Sequence, residues 1–215
     1  MKPIIMSTED VRALLDGRKT MMRIPIKLPA YVKQSDMDDT YTLIEEDGGY
    51  SRGWSIPDLI SNNYIKRPYY KHDVLWVRET WKPQDYQFID GMWNCAIVYK
   101  AGGMEGRVYW PDGTDSIYER CGIWRPSIHM PREAARLFLR VTGVRVERVQ
   151  DITHAGALAE GIVQCPGWKF ELSECDCTIV EFGKLWDALG FEWERNPWVF
   201  VCSFERITKE EVNDE

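Results

Sequence analysis

The stretch ARLFLRVTGVRVERVQDITHAGALAEG, residues 135–161, decides which fold class the chain can adopt. Apolar residues alternate along 137–141 and again along 144–149, which is the period of a half-buried strand. Gly143 separates the two runs, so the pattern predicts either two strands or one long strand bent at the glycine. After Asp151 or Thr153 the alternation stops, and we predict a short helix that ends near Gly161.

Outward from this stretch, the N-terminal residues predict a strand and a helix. Pro3 to Met6 form a short apolar run that is typical of a strand. Ser7, followed by Asp10 three residues later, is a variant of the capping box that starts a helix. Gly17 is placed to end that helix.

Further strands and one longer helix are predicted elsewhere in the chain. Asp73–Arg78 and Cys95–Tyr99 indicate strands, and apolar residues at i, i+3, i+4 and i+7 indicate a helix over 179–189. The last strand is predicted from Trp198 to Ile207. The acidic tail from Thr208 onward is predicted to be frayed.

This order of elements favours an α+β fold built on a small, curved sheet or barrel, because strands and helices do not alternate regularly. We predict a single domain over residues 1–207 with two insertions, at about 28–72 and 82–123, and an acidic tail at 208–215. No glycine-rich phosphate loop of a standard kind is present.

Composition narrows the class of protein. The 215 residues include 27 Lys and Arg against 34 Asp and Glu, so the formal net charge is −7. This balance, with 44 % hydrophobic residues, is typical of a soluble globular protein and argues against one that coats nucleic acid non-specifically. No apolar run approaches a membrane span, and no signal peptide is recognisable. We therefore expect a cytoplasmic protein with reduced cysteines and no membrane partner.

Three segments are candidates for binding or chemistry. Residues 17–23 (GRKTMMR) gather cations and a hydroxyl on a loop, which suits an anion or nucleotide; a solvated helix end is the alternative. In residues 75–81 (LWVRETW), Trp76 and Arg78 share a strand face; a core strand ending in a surface ion pair is the alternative. In residues 124–132 (WRPSIHMPR), two prolines hold an extended loop that displays basic and aromatic side chains; for His129 alone, a structural histidine is the alternative.

A glutamate at a helix end and a group of cysteines each raise the question of a partner. Glu160 lies at the predicted C-terminal end of a helix, where the helix dipole makes a carboxylate unfavourable. A Lys or Arg should therefore compensate its charge, which motivates a Lys19–Glu160 pair. Cys165, Cys175 and Cys177 could bind a metal together with His154 or Cys121, but the spacing matches neither usual zinc knuckle. We therefore predict thiols, with no metal and no cofactor.

Taken together, the non-cysteine segments resemble the ASCH domain family of the PUA-like superfamily, and more closely its members from bacteriophages and prophages. The matching segments are residues 15–20, 75–81, 124–132, 144–152, 159–162 and 196–199. The resemblance implies a β-barrel with flanking helices, a nucleotide pocket and a partner that is RNA, a nucleotide or a modified nucleoside. It also implies a location in the bacterial host cell.

The resemblance also suggests chemistry. One branch of the family hydrolyses the acetyl amide of N4-acetylcytidine, and another type of member cleaves RNA. In the amidohydrolases a Lys, a Thr three residues later and a distant Glu act together; Lys19 and Glu160 match the Lys and the Glu. The Thr position is Met22, whose thioether cannot be deprotonated, so Thr20 or a water would have to act instead. The family's Arg position is Ile24, with Arg23 one place early.

Three hypotheses follow from these residues. The first is an RNA- or nucleotide-binding protein, the second a hydrolase that uses Lys19, Glu160 and Thr20, and the third a phage accessory or assembly protein that contacts a phage or host protein. The residues that would contact RNA or a nucleotide are Arg18, Arg23, Trp76, Arg78, Trp81, Trp124, Arg125, Ser127, His129 and Arg132.

Overall fold

The computed structural model describes residues 1–35, 38–44, 48–89, 92–110, 121–163 and 177–213. Its secondary structure mixes helices and strands, which confirms the α+β class. The strands are β1 Lys2–Ile5, β2 Met21–Pro25, β3 Val32–Gln34, β4 Tyr41–Ile44, β5 Tyr50–Trp54, β6 Val74–Arg78, β7 Trp81–Ile89, β8 Met92–Tyr99, β9 Met104–Trp110, β10 Phe138–Arg148 and β11 Trp198–Ile207. The α-helices are α1 Thr8–Leu15, α2 Ile56–Ser61, α3 His154–Ala159, α4 Cys177–Ala188 and α5 Lys209–Asn213.

The chain forms two compact units. Unit 1 consists of residues 1–20, 71–142 and 204–215, and unit 2 consists of residues 21–70 and 143–203. Strands β10 and β11 each pass from one unit to the other along the chain. A single strand, β10, occupies the 137–149 region, which confirms the prediction of one long strand over the alternative of two strands.

Unit 1 contains two sets of paired strands. β1 runs parallel to β6, with Lys2 opposite Leu75, and β6 pairs antiparallel with the first part of β10, with Trp76 opposite Phe138. β7, β8 and β9 form an antiparallel meander that begins at Trp81, one residue before the predicted insertion at 82–123, and otherwise lies within it. The core of this unit is formed by Trp81, Cys95, Ile97, Tyr99, Met130, Ala134, Ala135, Phe138 and Ile207.

Unit 2 is built around β11, which is buried on both faces. In the sheet the order is β10, β11, β2, and Met22 on β2 lies opposite Cys202 on β11. Phe200 and Cys202 pack into a cluster with β3, β4 and α2, and Val199 and Val201 pack into a second cluster with α3 and α4. Strands β3, β4 and β5 form an antiparallel meander, which with α2 occupies the predicted insertion at 28–72.

Several predicted helix ends are confirmed by hydrogen bonds. Ser7 and Asp10 form the reciprocal capping box of α1, and Gly17 follows the helix with φ +74°. Thr153 caps α3, which ends at Ala159. The prediction of a frayed tail is wrong over Lys209–Asn213, because Thr208 and Glu211 exchange capping hydrogen bonds of 2.7 and 3.3 Å that start α5.

The described residues include no helix that is both long and apolar enough to cross a membrane. Nor do their strands close into a barrel: the sheets are a five-stranded one and two three-stranded ones.

Candidate functional site

Lys19 lies where the chain leaves α1 in unit 1. After Gly17, the Arg18 and Lys19 amides both donate to the Ala13 carbonyl, at 2.8 and 3.0 Å, which turns the Lys19 side chain back toward the start of the helix. Lys19 is buried, with 3 % of its side chain exposed, and its Nζ lies 3.1 Å from Asp10 Oδ1. Asp10 Oδ2 accepts the capping hydrogen bonds of Ser7. One carboxylate thus caps α1 and binds the candidate lysine.

The other candidate groups of the 17–23 segment lie in different environments. Arg18 is exposed and forms an ion pair with Asp16 at 2.9 Å. Thr20 is exposed, and its carbonyl accepts a hydrogen bond from the Phe204 amide. Within this segment, therefore, the structure provides an exposed hydroxyl at Thr20 and a buried ammonium at Lys19.

Met22 and its neighbour Cys202 offer no activated nucleophile. Met22 carries a thioether, and Cys202 lies directly opposite it in the β2–β11 ladder. Burial, and secondarily the negative charge of Glu160, raises the pKa of the Cys202 thiol to about 12. Cys202 therefore stays protonated at neutral pH, and a protonated thiol is a poor nucleophile.

Glu160 lies at the C-terminal end of α3 in unit 2, where its charge is unfavourable. Its Oε1 accepts a hydrogen bond of 3.1 Å from Arg23 Nη1. The prediction that a Lys or Arg compensates this carboxylate is thus confirmed by Arg23. The predicted Lys19–Glu160 pair would join residues of the two units and stays a prediction.

Arg23 forms the centre of a buried ionic cluster in unit 2. Its Nη2 donates to Glu147 Oε1 at 2.6 Å, its guanidinium lies 5.6 Å from the Phe182 ring, and only 1 % of its side chain is exposed. Glu147 also accepts a hydrogen bond of 2.8 Å from Arg145. Sequence reasoning missed Glu147, because an alternating Arg and Glu pattern on a strand is typical of a solvated sheet face.

In unit 1 the segment 121–132 is attached to the rest of the unit at two points. Trp81 and Arg125 form an isolated antiparallel bridge, with amide-to-carbonyl distances of 3.2 and 2.7 Å, and the Arg125 guanidinium lies 5.3 Å from the Trp81 ring. Met130 is buried, its Sδ accepts from the Glu79 amide, and its carbonyl accepts from Arg78 Nε at 3.1 Å. The residues between these points are held in place by the fold.

At and beside these two attachment points the segment displays aromatic, apolar and basic side chains. Trp124 is 43 % exposed, and Lys82 Nζ lies 5.0 Å from its ring centroid. We call this the Trp124 surface; its members are Lys82, Ile123, Trp124, Arg125, Ile128, His129 and Arg132. Lys82 was missed at the sequence level, because it lies on β7 and is distant in sequence from the loop.

The remaining predicted contact residues of unit 1 are less accessible. Trp81 is 1 % exposed, so its ring cannot stack on a ligand. Arg78 lies 5.4 Å from the Trp76 ring, which confirms their shared face, and also donates to the Ile128 carbonyl. Ser127 starts the single turn of 3-10 helix Ser127–His129 and is half-buried. With Arg18, the predicted contacts that remain exposed are Trp124, His129 and Arg132.

The alternative of a surface ion pair at the end of the 75–81 strand is corrected by the structure, since that pair is buried. Glu79 accepts two hydrogen bonds of 2.9 Å from Arg136, whose guanidinium lies 3.9 Å from the Tyr99 ring. Burial raises the pKa of the Glu79 carboxyl, although the hydrogen bonds and charge of Arg136 oppose the rise.

The cysteines show one departure from the expected reduced state. Cys95, Cys121 and Cys202 are free thiols, but Cys177 is disulfide-bonded. The expectation that cysteines of cytoplasmic proteins are reduced is a general one and does not determine whether a particular cysteine forms a disulfide. A sulfur in a disulfide is not a thiolate ligand, so Cys177 does not fit the alternative of a metal site. Cys165 and Cys175 lie outside the described residues, and within the described ones no three His, Cys, Asp or Glu side chains cluster as metal ligands.

Comparison with protein-family models, with curated proteins and with solved structures gives no match.

Proposed function

We propose that the chain is an RNA- or nucleotide-binding protein of the ASCH type, with a PUA-like fold, from a phage or prophage and acting in the bacterial host cell. The observation that carries this proposal is the Trp124 surface, where an exposed indole with a cation over its ring directly precedes Arg125, which the bridge to Trp81 holds in place. The family resemblance of the sequence supports the same function.

The chemistry of the Trp124 surface suits unpaired bases. Proteins that bind single-stranded RNA stack bases on aromatic rings and contact the phosphates with nearby Lys and Arg. Trp124 supplies the exposed ring, and Lys82, Arg125 and Arg132 supply cations within the same unit. Because the Trp81–Arg125 bridge and buried Met130 hold the segment, little order has to be gained on binding.

A hydrolase is the second candidate function, favoured by the burial of Lys19 and Glu160. Both side chains are buried in ion pairs, Lys19 with Asp10 and Glu160 with Arg23, and active sites are one place where buried charged groups occur. Thr20 would supply the nucleophile, or a water would be activated by Lys19 or Glu160. A turnover assay on N4-acetylcytidine and on short RNA tests this function. Absence of turnover by protein that binds those compounds would contradict it.

The proposed binding function is tested by thermal unfolding against a panel of nucleosides, nucleotides, N4-acetylcytidine, single-stranded RNA and duplex RNA. A ligand that binds only the folded state raises Tm by mass action. We expect single-stranded RNA to raise Tm more than duplex RNA. A well-folded protein whose Tm responds to none of these ligands would contradict the proposal. It would favour the protein-contact hypothesis, for which exposed Ile123 and Ile128 would be the contact residues.

A further inference from the structure

The sequence assigns Arg23 to RNA contact, but the structure places it differently. Only 1 % of its side chain is exposed, and two carboxylates bind its guanidinium, with Glu160 at 3.1 Å and Glu147 at 2.6 Å. A phosphate would have to displace one of these carboxylates and enter a buried site. The positive charge of Arg23 is thus already balanced inside unit 2.

The elements around Arg23 converge on its guanidinium. β2 carries Arg23, β10 carries Glu147, and Glu160 directly follows α3. Phe182 of α4 lies under the guanidinium at 5.6 Å. A Cβ on Gly156 of α3 would lie 3.2 Å from Arg23 Nη2, so the glycine gives the guanidinium its space. This arrangement determines where the Glu160 carboxylate is held.

Arginine is well suited to this role because its planar fork can donate to two carboxylates at once from fixed directions. A lysine keeps the charge, but its single ammonium lacks the fixed fork. The Arg23 charge also offsets the unfavourable position of Glu160 at the negative end of α3. Both effects act on Glu160 and neither requires a ligand.

We infer that Arg23 is a positioning residue, which fixes the Glu160 carboxylate through the Glu147–Arg23–Glu160 cluster, and is not a cation that contacts RNA. The inference rests on the proposed function only in leaving RNA contact to the Trp124 surface. This role explains why the chain has an arginine at position 23, one place before the Arg position of the family.

The test uses the full chain and two independent readouts. The first is the side-chain carboxyl ¹³C signal of Glu160 in NMR, assigned by its disappearance in Glu160→Gln. The second is the affinity for a fluorescent single-stranded oligouridine. The variants are Arg23→Lys, Glu147→Gln and, as a matched control, Arg145→Gln, which removes a half-exposed arginine that contacts Glu147 but not Arg23's other partner.

We expect Arg23→Lys to move the Glu160 signal while the oligouridine affinity stays within about twofold of wild type, because a residue without ligand contact changes binding little. Glu147→Gln keeps an acceptor for Arg23 and is expected to fold; it should move the Glu160 signal by a smaller amount. Arg145→Gln should leave the signal in place. If Arg23→Lys does not fold, Glu147→Gln carries the test.

An unchanged Glu160 signal in both Arg23→Lys and Glu147→Gln would overturn the inference. So would an oligouridine affinity that falls in folded Arg23→Lys as far as in Lys82→Gln. If wild-type protein binds no oligouridine, the proposed function fails separately, and the Glu160 signal still decides the role of Arg23.

Discussion

Among single residues, the buried pair of Glu79 and Arg136 in unit 1 gives a prediction about stability. Arg136→Met leaves the Glu79 carboxylate buried without its bidentate partner. Removing one member of a buried ion pair costs about 3–5 kcal/mol, because the remaining charge is uncompensated. We expect Arg136→Met to lower the free energy of unfolding by about this amount at pH 7, measured by urea unfolding.

The pKa of Glu79 gives this loss a definite pH dependence. Burial raises the folded-state pKa of Glu79 above its ordinary value of 4.5, and Arg136 opposes the rise. Removing Arg136 therefore raises that pKa further. A carboxyl whose pKa is raised in the folded state stabilises the fold most at low pH, where it is protonated. The loss of unfolding free energy in Arg136→Met should therefore be smallest below pH 4.5, and it should grow as the pH rises through the folded-state pKa of Glu79.

Arg140→Met, four positions further along the chain on β10, is the matched control. Arg140 lies 3.5 Å from Glu205, and more than half of the Glu205 side chain is exposed. Such surface pairs contribute about 0–1 kcal/mol, so this variant should lose little stability at any pH. If Arg136→Met loses no more unfolding free energy than Arg140→Met, or if its loss does not change with pH, Glu79 and Arg136 do not act as a buried ion pair.

The sequence indicated what kind of partner a residue needs more readily than which residue supplies it. The need of Glu160 for a cation could be inferred locally from its position at a helix end. The choice of Arg23 as that cation could not be inferred, because the two residues lie 137 positions apart in the chain. Asp10 was predicted only as a capping residue, since nothing in the local pattern shows that the chain returns Lys19 to the same carboxylate.

At the scale of elements, the cap of α1 supports two comparable variants. Ser7→Ala removes the capping oxygen and should cost about 1 kcal/mol. Asp10→Asn keeps an acceptor for Ser7 but removes the charge beside the buried Lys19 ammonium. Because hydrogen bonds to charged groups contribute about 1.5–3 kcal/mol, we expect Asp10→Asn to lose more stability than Ser7→Ala in urea unfolding. A smaller loss for Asp10→Asn would show that Asp10 serves α1 alone.

Elements with strong local signals were predicted closely. The capping box of α1, the strand at Trp198–Ile207 and the helix at 177–188 agree with the sequence patterns to within two residues. Strands β3, β4 and β5 were missed because their pairing joins short segments with little periodicity of their own. Helix α5 was missed because its acidic composition suggested a solvated tail, whereas Val212 packs against the unit 1 core.

For the whole molecule, the salt dependence of RNA binding follows from the number of phosphate contacts, and the net charge of −7 argues against an extensive basic surface. Three cations of the Trp124 surface, Lys82, Arg125 and Arg132, are the proposed phosphate contacts. With about 0.7 counterions released per contact on a single strand, log Kd should change with log salt concentration with a slope of about 2. Fluorescence anisotropy over a KCl series measures this slope. A slope above about 5 would require a larger basic surface than the one we propose.

We propose that the Trp124 surface binds single-stranded RNA, and the affinity of Trp124→Ala for a fluorescent oligouridine measures this directly. Loss of one base–aromatic stack costs about 1–3 kcal/mol, so Kd should rise by about 5- to 150-fold. Tyr50→Ala, which removes an exposed aromatic ring from unit 2, should leave Kd unchanged. If folded Trp124→Ala binds as tightly as wild type, the Trp124 surface is not the RNA site.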